Sequence, residues 1–227
     1  MSWRGSQIES RSRHLTHYGI EEVDRYESWV SKLGDEDDEA CLSDLRPEFE
    51  FRGGMSVLDV GAGTGAMSKV LYRVAGLSIT ALEPSPHMIA KLRAKPELRN
   101  VRVVCGFSDS HADLPLFDTL SFDAIVSRQL LNGLFDPLTA FRNWNQWLKP
   151  NGTLIVIDGL YDRPDWTGEL KCELGVLPFS ACRTMAMAPY LLETVGFDVS
   201  VVKLMKATNA MPLTRTTRYV VIARKHA

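Results

Sequence analysis

The stretch from Val57 to Gly65, Val-Leu-Asp-Val-Gly-Ala-Gly-Thr-Gly, constrains the fold of this chain more than any other. Apolar residues of strand character lead into glycines at 61, 63 and 65, and a helix-like run from Ala66 to Val74 follows. A strand that turns into a helix on glycines lets backbone come close to a ligand, because no Cβ intervenes and φ > 0 is accessible. The N–H groups at the helix start lack intrahelical partners and favour anionic or lone-pair groups. A nucleotide-like ligand is the expectation. Gly61-x-Gly63-x-x-Ala66, with Glu83 downstream, also satisfies the dinucleotide fingerprint, so the turn alone does not choose among nucleotides.

Beyond Met55 the chain alternates strand and helix. Strand signals fall at 55–60, 77–82, 101–106, 122–127 and 153–158, with helices at 65–74, 86–95 and from Asp136-Pro137 to Leu148. Proline suits the first turn of a helix, and Asp136 suits its N-cap. Such alternation predicts a parallel sheet with helices on both faces and ligands beyond the carboxyl ends of the strands. The end of the chain departs from this. A helix at 187–195 stops at Gly196, and two β-rich runs, 197–205 and 217–224, follow with no helix between them, which predicts an antiparallel pair. Upstream, Ile20, Val23, Trp29, Val30 and Leu33 share one helical face, the acidic run Asp35 to Glu39 suits a solvated loop or helix start, and a short helix is expected at 40–45.

The 227 residues fit one domain: an N-terminal arm and helical cap (1–50), a cofactor-binding core (51–158), a substrate-side insert (159–188) and a C-terminal helix with antiparallel strands (189–227). A net charge of −2 disfavours nucleic acid as a partner. Cys41, Cys105, Cys172 and Cys182 are widely spaced with no C-x-x-C, which argues against a metal site or a disulfide framework and for reduced, mostly packing thiols in a cytoplasmic protein. No run of about 18 apolar residues suggests a membrane span, and residues 1–12 lack an apolar signal core.

Four segments in order, V-L-D-V-G-A-G-T-G (57–65), L-E-P-S-P-H-M (82–88), L-P-L-F-D-T-L-S-F-D-A-I-V-S (114–127) and W-L-K-P-N-G-T-L-I-V-I-D (147–158), resemble the class I S-adenosylmethionine-dependent methyltransferases, in particular their small-molecule, ubiquinone/menaquinone-type branch. The resemblance covers residues 50–160 and the last two strands. It implies a doubly wound, mostly parallel, seven-stranded Rossmann-like sheet ending in an antiparallel pair, with an N-terminal helical cap. It also implies S-adenosylmethionine as cofactor. Asp59 would stand near the methionine amino group, directly or through water, and the backbone of Gly61, Ala62, Gly63 and Gly65 would curve around methionine and ribose. Glu83 would accept from the ribose hydroxyls, since a carboxylate offers two oxygens to a vicinal diol. Pro84 and Met88 would pack near adenine, Met88 equally well as core. The loop after the third strand, Gly106 to Pro115, departs from the family's usual acid for the adenine amino group; Asp109 is favoured, with Ser110 its neighbour. Ser127 and Arg128 would border the sulfonium and the methionine carboxylate, Arg128 pairing with that carboxylate, with an acceptor acid, or with a structural salt bridge.

The expected reaction is in-line transfer of a methyl group to an N, O or C nucleophile of a small molecule, which the protein mainly positions. The family has no universal base. Weak candidates are His14, Tyr18, Tyr26 and Tyr161, with His17, Trp29, Asp162, Trp166 and Met185 also on the acceptor side; Trp29 is expected to staple its helix to the sheet. His111 reads as a loop histidine. Two other functions remain open: a nicotinamide-dependent oxidoreductase, disfavoured by Asp59, the closing antiparallel pair and the lack of a Tyr-x-x-x-Lys pair, and a non-catalytic cofactor-binding protein. Monomer and homodimer are both compatible with the sequence. RNA and protein acceptors are weakened by the charge balance and by Ser127-Arg128-Gln129-Leu130 standing where base-amino enzymes carry an Asn/Asp-Pro-Pro-aromatic element.

Overall fold

A computed structural model describes Glu9, Arg11 and residues 19–162 and 175–226. His14, His17, Tyr18, Trp166 and Cys172 lie outside the described residues. In chain order the elements are α1 (Ile20–Val30), α2 (Asp35–Leu45), β1 (Ser56–Val60), α3 (Ala66–Tyr72), β2 (Ser78–Glu83), α4 (Pro86–Arg93), β3 (Arg102–Cys105), β4 (Phe122–Arg128), α5 (Pro137–Trp147), β5 (Leu148–Gly159), α6 (Met187–Thr194), β6 (Phe197–Leu204), the one-turn helix α7 (Lys206–Asn209) and β7 (Arg218–Lys225). Short 3₁₀ turns lie at Pro96–Leu98, His111–Leu116 and Leu131–Gly133.

The strands form one seven-stranded sheet in the order β3-β2-β1-β4-β5-β7-β6. β1 pairs in parallel with both β2 and β4, and β4 with β5. The expected antiparallel end is present, but β7 inserts between β5 and β6 and runs antiparallel to both. Strand order reverses on either side of β1, so the crevice between the carboxyl ends of β1 and β4 is the topological switch point, where open sheets of this kind bind ligands.

Alternation along the strands feeds two cores. Leu58 and Val60 face Phe141, Trp144 and Trp147 of α5, together with Ala188 and Leu192 of α6. Val57 faces Cys41, Leu42 and Leu45 of α2 and Met67, Val70 and Leu71 of α3. Burying a large apolar side chain stabilises by about 1.5–3 kcal/mol, so the α5 aromatics anchor that helix under β4 and β5. Asp136 caps α5, its carboxylate accepting from Thr139 N (3.0 Å) and Thr139 Oγ1 (2.8 Å).

One local expectation takes its helix-start alternative, and three change. The acidic run starts α2: Asp37 accepts from the N-cap N–H of Gly34, and buried Asp38 pairs with Lys69. Ile20, expected on the packed face of its helix, is exposed because it occupies the first turn, whereas Val23 and Val30 are buried. Cys105, expected to pack, is exposed because β3 is an edge strand; Cys41 and Cys182 are buried free thiols. The connection between β6 and β7 contains α7, held by Asp44 of α2, whose carboxylate accepts from Ala207 N (3.0 Å) and Thr208 N (2.8 Å).

Candidate active site

The glycine turn sits at the switch point. Gly61 has φ 69°, and a Cβ there would stand 2.7 Å from Leu130 Cδ1, so the loop after β4 presses directly on the turn. Glu83 ends β2 beside it. Its Oε2 accepts from Gly63 N at 2.9 Å and its Oε1 from Ser85 N at 2.9 Å, tying the turn to the start of α4. Gly61, Gly63, Glu83, Pro84 and Met88 all line one cleft of about 160 Å³ that spans the switch point.

Asp59 lies beneath the turn, 1% exposed, and does not line the cleft. One oxygen accepts from Ser68 Oγ of α3 at 2.6 Å; the other, Oδ1, is buried and has no hydrogen-bond partner. Burial pushes the carboxyl up to about 6, against the opposing hydrogen bond from Ser68 and the field of Arg128. An orphaned buried acceptor of this kind fits a site that takes a cationic or N–H donor from a ligand.

The loop after β3 supplies the far wall through Phe107, Ser108 and Asp109. Asp109 Oδ2 accepts from Phe135 N (2.7 Å) and Asp136 N (3.2 Å), clamping this loop to the start of α5. Arg11 ion-pairs with Asp109 Oδ1 at 2.8 Å and stacks over the rings of Phe107 and Phe135 at 5.3 and 5.4 Å. Burial raises the Asp109 carboxyl, opposed first by Arg11. Ser110 turns away from the cleft and caps the 3₁₀ turn, accepting from Ala112 N.

Arg128 and Gln129 close the side nearest α1. Among the described residues, the Arg128 guanidinium has no hydrogen bond or ion pair, which removes the structural salt bridge from its possible roles there. Gln129 adopts φ 57°, a left-handed backbone that costs about 1–3 kcal/mol in a non-glycine residue and concentrates at functional sites. Its N–H donates to Ile157 O at 2.7 Å, which fixes that conformation. Tyr26 of α1 covers Gly63, and Lys95 holds α1 there by pairing with Glu27 at 2.9 Å. Trp29 lines a recess beside Tyr26, Ala62 and Arg128.

Several expected cofactor residues do not line the cleft itself. Gly65 (φ 93°) turns toward Leu92 and Leu98, and Ala62 borders the recess. Ser127 is fully buried inside the ladder, level with Val60 and Val156, because β4 continues one residue beyond it. Phe107, Ser108, Gln129, Leu130 and Leu134 line the cleft without having been singled out. The segment 127–132 was a marked strand end; Phe107 and Leu134 carried no signal of their own.

The phenols Tyr26 and Tyr161 are both raised above their ordinary value, mainly by burial. They are neutral donors or acceptors at physiological pH and poor proton abstractors. Asp158, at the end of β5, is pushed up to about 6 by burial; its oxygens accept from Gly159 N (2.7 Å) and Leu131 N (2.8 Å). His111 is exposed at the start of its 3₁₀ turn. Among the described residues no cluster of His, Cys, Asp and Glu is set to hold a metal, and no helix is long and apolar enough to cross a membrane.

Residues 58–156 match a family model described as a methyltransferase domain. The rice (Oryza sativa subsp. japonica) chloroplastic 2-methyl-6-phytyl-1,4-hydroquinone methyltransferase 1 is 32% identical over 114 residues, 50% of this chain and 33% of the rice protein. A ubiquinone biosynthesis O-methyltransferase of Xanthomonas campestris pv. campestris (strain B100) is 34% identical over 106 residues, 45% of this chain and 42% of that protein. The matches thus span well under half the length of these curated relatives. In three dimensions the chain superposes on Haemonchus contortus phosphoethanolamine N-methyltransferase 2, solved in complex with S-adenosyl-L-methionine, with TM-score 0.66 and 16% identity, covering 93% of this chain and 58% of that one. That likeness is one of fold.

Proposed function

We propose that this chain, which carries a class I S-adenosylmethionine-dependent methyltransferase domain, transfers a methyl group to a nucleophilic atom of a small-molecule acceptor. One observation carries the reading: Glu83, the glycine turn and the Arg128 guanidinium, which has no ion pair among the described residues, line one cleft, with the orphaned Oδ1 of Asp59 buried beneath the turn. These groups match the polar parts of S-adenosylmethionine in kind. Glu83 suits the ribose diol, Asp59 the α-ammonium group and Arg128 the α-carboxylate. Pro84, Met88, Phe107 and Leu134 offer apolar surface to adenine, and Asp109 stands at that end.

When bound, the cofactor supplies a sulfonium-activated methyl group open to in-line displacement. The work left to the protein is positional. Tyr26 covers the turn and excludes water, while Gln129 and Leu130 fix the wall past which the acceptor must approach. Among the described residues no side chain at the cleft is an evident general base, which suits an acceptor that is ionised already or loses its proton after transfer. The relatives' names concern hydroquinone and ubiquinone biosynthesis, so phenolic and quinol oxygens are the acceptors to try first. A reducing compartment, the cytoplasm, belongs to the same reading, with Cys41 and Cys182 as buried free thiols.

Calorimetric titration with S-adenosylhomocysteine and with NAD(H), followed by transfer of labelled methyl to a panel of phenols, hydroquinones and amines, tests this. Homocysteine-nucleoside binding with label transfer is expected. NAD(H) binding without it would return the chain to the oxidoreductases, and cofactor binding with no transfer to any acceptor class would favour a binding protein.

A further inference from the structure

Behind Arg128, away from the main cleft, lies a second, small cavity of about 20 Å³ between α1–α2 and the β6–β7 connection. Trp29, Leu33, Ile157 and Met211 give it apolar walls, and Arg128, Gln129, Thr208 and Arg218 give it polar ones. Arg218 begins β7 opposite Gly159 and is 8% exposed. Among the described residues its guanidinium hydrogen-bonds only to neutral groups. Nη1 donates to Tyr161 Oη at 2.8 Å, and the Gln129 amide, oriented with its oxygen toward Arg218, accepts from Nη2 at 2.7 Å and Nη1 at 3.2 Å. Among the described residues no carboxylate ion-pairs with it. Asp158 lies close enough to feel its charge, but both oxygens of Asp158 are taken by backbone N–H groups. Asp37, the carboxylate on the cavity wall, is engaged by Gly34 N.

Buried charges are normally paired, because an uncompensated one loses hydration without a return. Here one buried and one half-buried guanidinium lack ion-pair partners among the described residues and share a cavity. Thr208 adds a second sign: it is 8% exposed, lines the same cavity, and its Oγ1 has no hydrogen-bond partner. A cavity needs roughly 10–15 Å³ for one water-sized group, so this one takes a group the size of a carboxylate and little more. A planar guanidinium already oriented by Tyr161 and Gln129 is pre-organised for an oxyanion.

We propose that this cavity is the acceptor's oxyanion pocket, in which Arg218, oriented by Tyr161 and Gln129 and joined by Thr208, binds a carboxylate of the methyl acceptor. The proposal rests on the methyltransferase reading, because it assigns the acceptor end of that same site. Arg128 stands at the boundary between this pocket and the main cleft, lining both, so an acid seated on Arg218 extends its other end toward the glycine turn. Arg218 is a specificity residue in this scheme and takes no part in the chemistry.

The test is titration of the full chain, saturated with S-adenosylhomocysteine, with benzoate, with its neutral isostere benzamide and with inorganic phosphate. Benzoate is expected to bind at least about tenfold more tightly than benzamide. Arg218→Met should remove that preference while homocysteine-nucleoside affinity, which reports an intact core, is retained. Arg218→Lys keeps the charge without the fork and should give a reduced preference. Phosphate binding ahead of benzoate would support the oxyanion pocket with a phosphorylated acceptor as its source. Equal binding of benzoate and benzamide in the unaltered chain, no binding of any anion, or a benzoate preference that survives in Arg218→Met would overturn the proposal. The benzoate–benzamide comparison needs no variant and stands even if a substitution prevents folding. Failure of the unaltered chain to bind S-adenosylhomocysteine would sink the methyltransferase reading itself, whereas such binding without oxyanion preference sinks only the pocket.

Discussion

At Asp59 two demands fall on one carboxylate. Burial holds it near a pKa of about 6, so the folded chain takes up its proton at a higher pH than the unfolded chain. Between about pH 4 and 6 the folded state binds more protons, and stability therefore falls as pH rises through that window and levels off above it. Asp158 acts in the same direction. To order of magnitude the charge costs about 2–3 kcal/mol at each site. Ligand binding runs the other way, since only the ionised form attracts an ammonium group. S-adenosylhomocysteine affinity should therefore rise by up to about tenfold per pH unit until about pH 6 and then flatten. Asp59→Asn should abolish that step, measured by calorimetry from pH 5 to 8, and weaken the fall of Tm with pH; a pH step that persists in the variant would remove Asp59 from the cofactor site. Glu83 carries a separate prediction. Glu83→Gln replaces one of two acceptor oxygens by a donor facing backbone N–H groups, and should weaken S-adenosylhomocysteine by at least about tenfold.

Elements meet the ligand through their ends. β1 and α3 are joined at Gly65, which caps α3 in a left-handed conformation while its missing side chain leaves room for Leu98 at 2.6 Å and Leu92 at 3.1 Å. Both leucines are fully buried and have little room to yield. Gly65→Ala should cost about 2–4 kcal/mol through backbone strain and overpacking, lowering Tm by roughly 5–15 °C in thermal melts. This junction was legible in the sequence, because glycine spacing, strand character and helix pattern are all local. The proline-led starts of α4 and α5 were legible for the same reason. The edge position of β3 was not, and Cys105 was misjudged accordingly: strand character reports what a segment can pair with, and says nothing of whether one side of it is left open.

Across the whole molecule the wall of the proposed acceptor pocket is held by contacts between α2 and the β6–β7 connection. Asp44 of α2 holds the first N–H groups of α7, which lies between β6 and β7. Asp44→Ala leaves one buried and one partly buried donor unsatisfied and should destabilise by about 1–3 kcal/mol. It should also weaken benzoate binding more than S-adenosylhomocysteine binding, since the β6–β7 connection walls the small cavity. Equal losses of both would show that α7 supports the core alone. By itself the sequence determined the doubly wound sheet, its antiparallel close and the cleft end built from the glycine turn and Glu83, because each follows from local pattern or from spacing within one strand–turn–helix unit. Tertiary structure alone decided that Asp59 sits beneath the turn, that Asp109 is clamped by the start of α5, and that Arg218 lies beside Tyr161 and Gln129 on the wall of the small cavity. The last of these has a simple physical origin. β7 enters between β5 and β6 in the reverse direction, so its first residue, 59 positions after Gly159, lies at the carboxyl end of the sheet beside the end of β5. Nothing in the neighbourhood of Arg218 along the chain records that pairing.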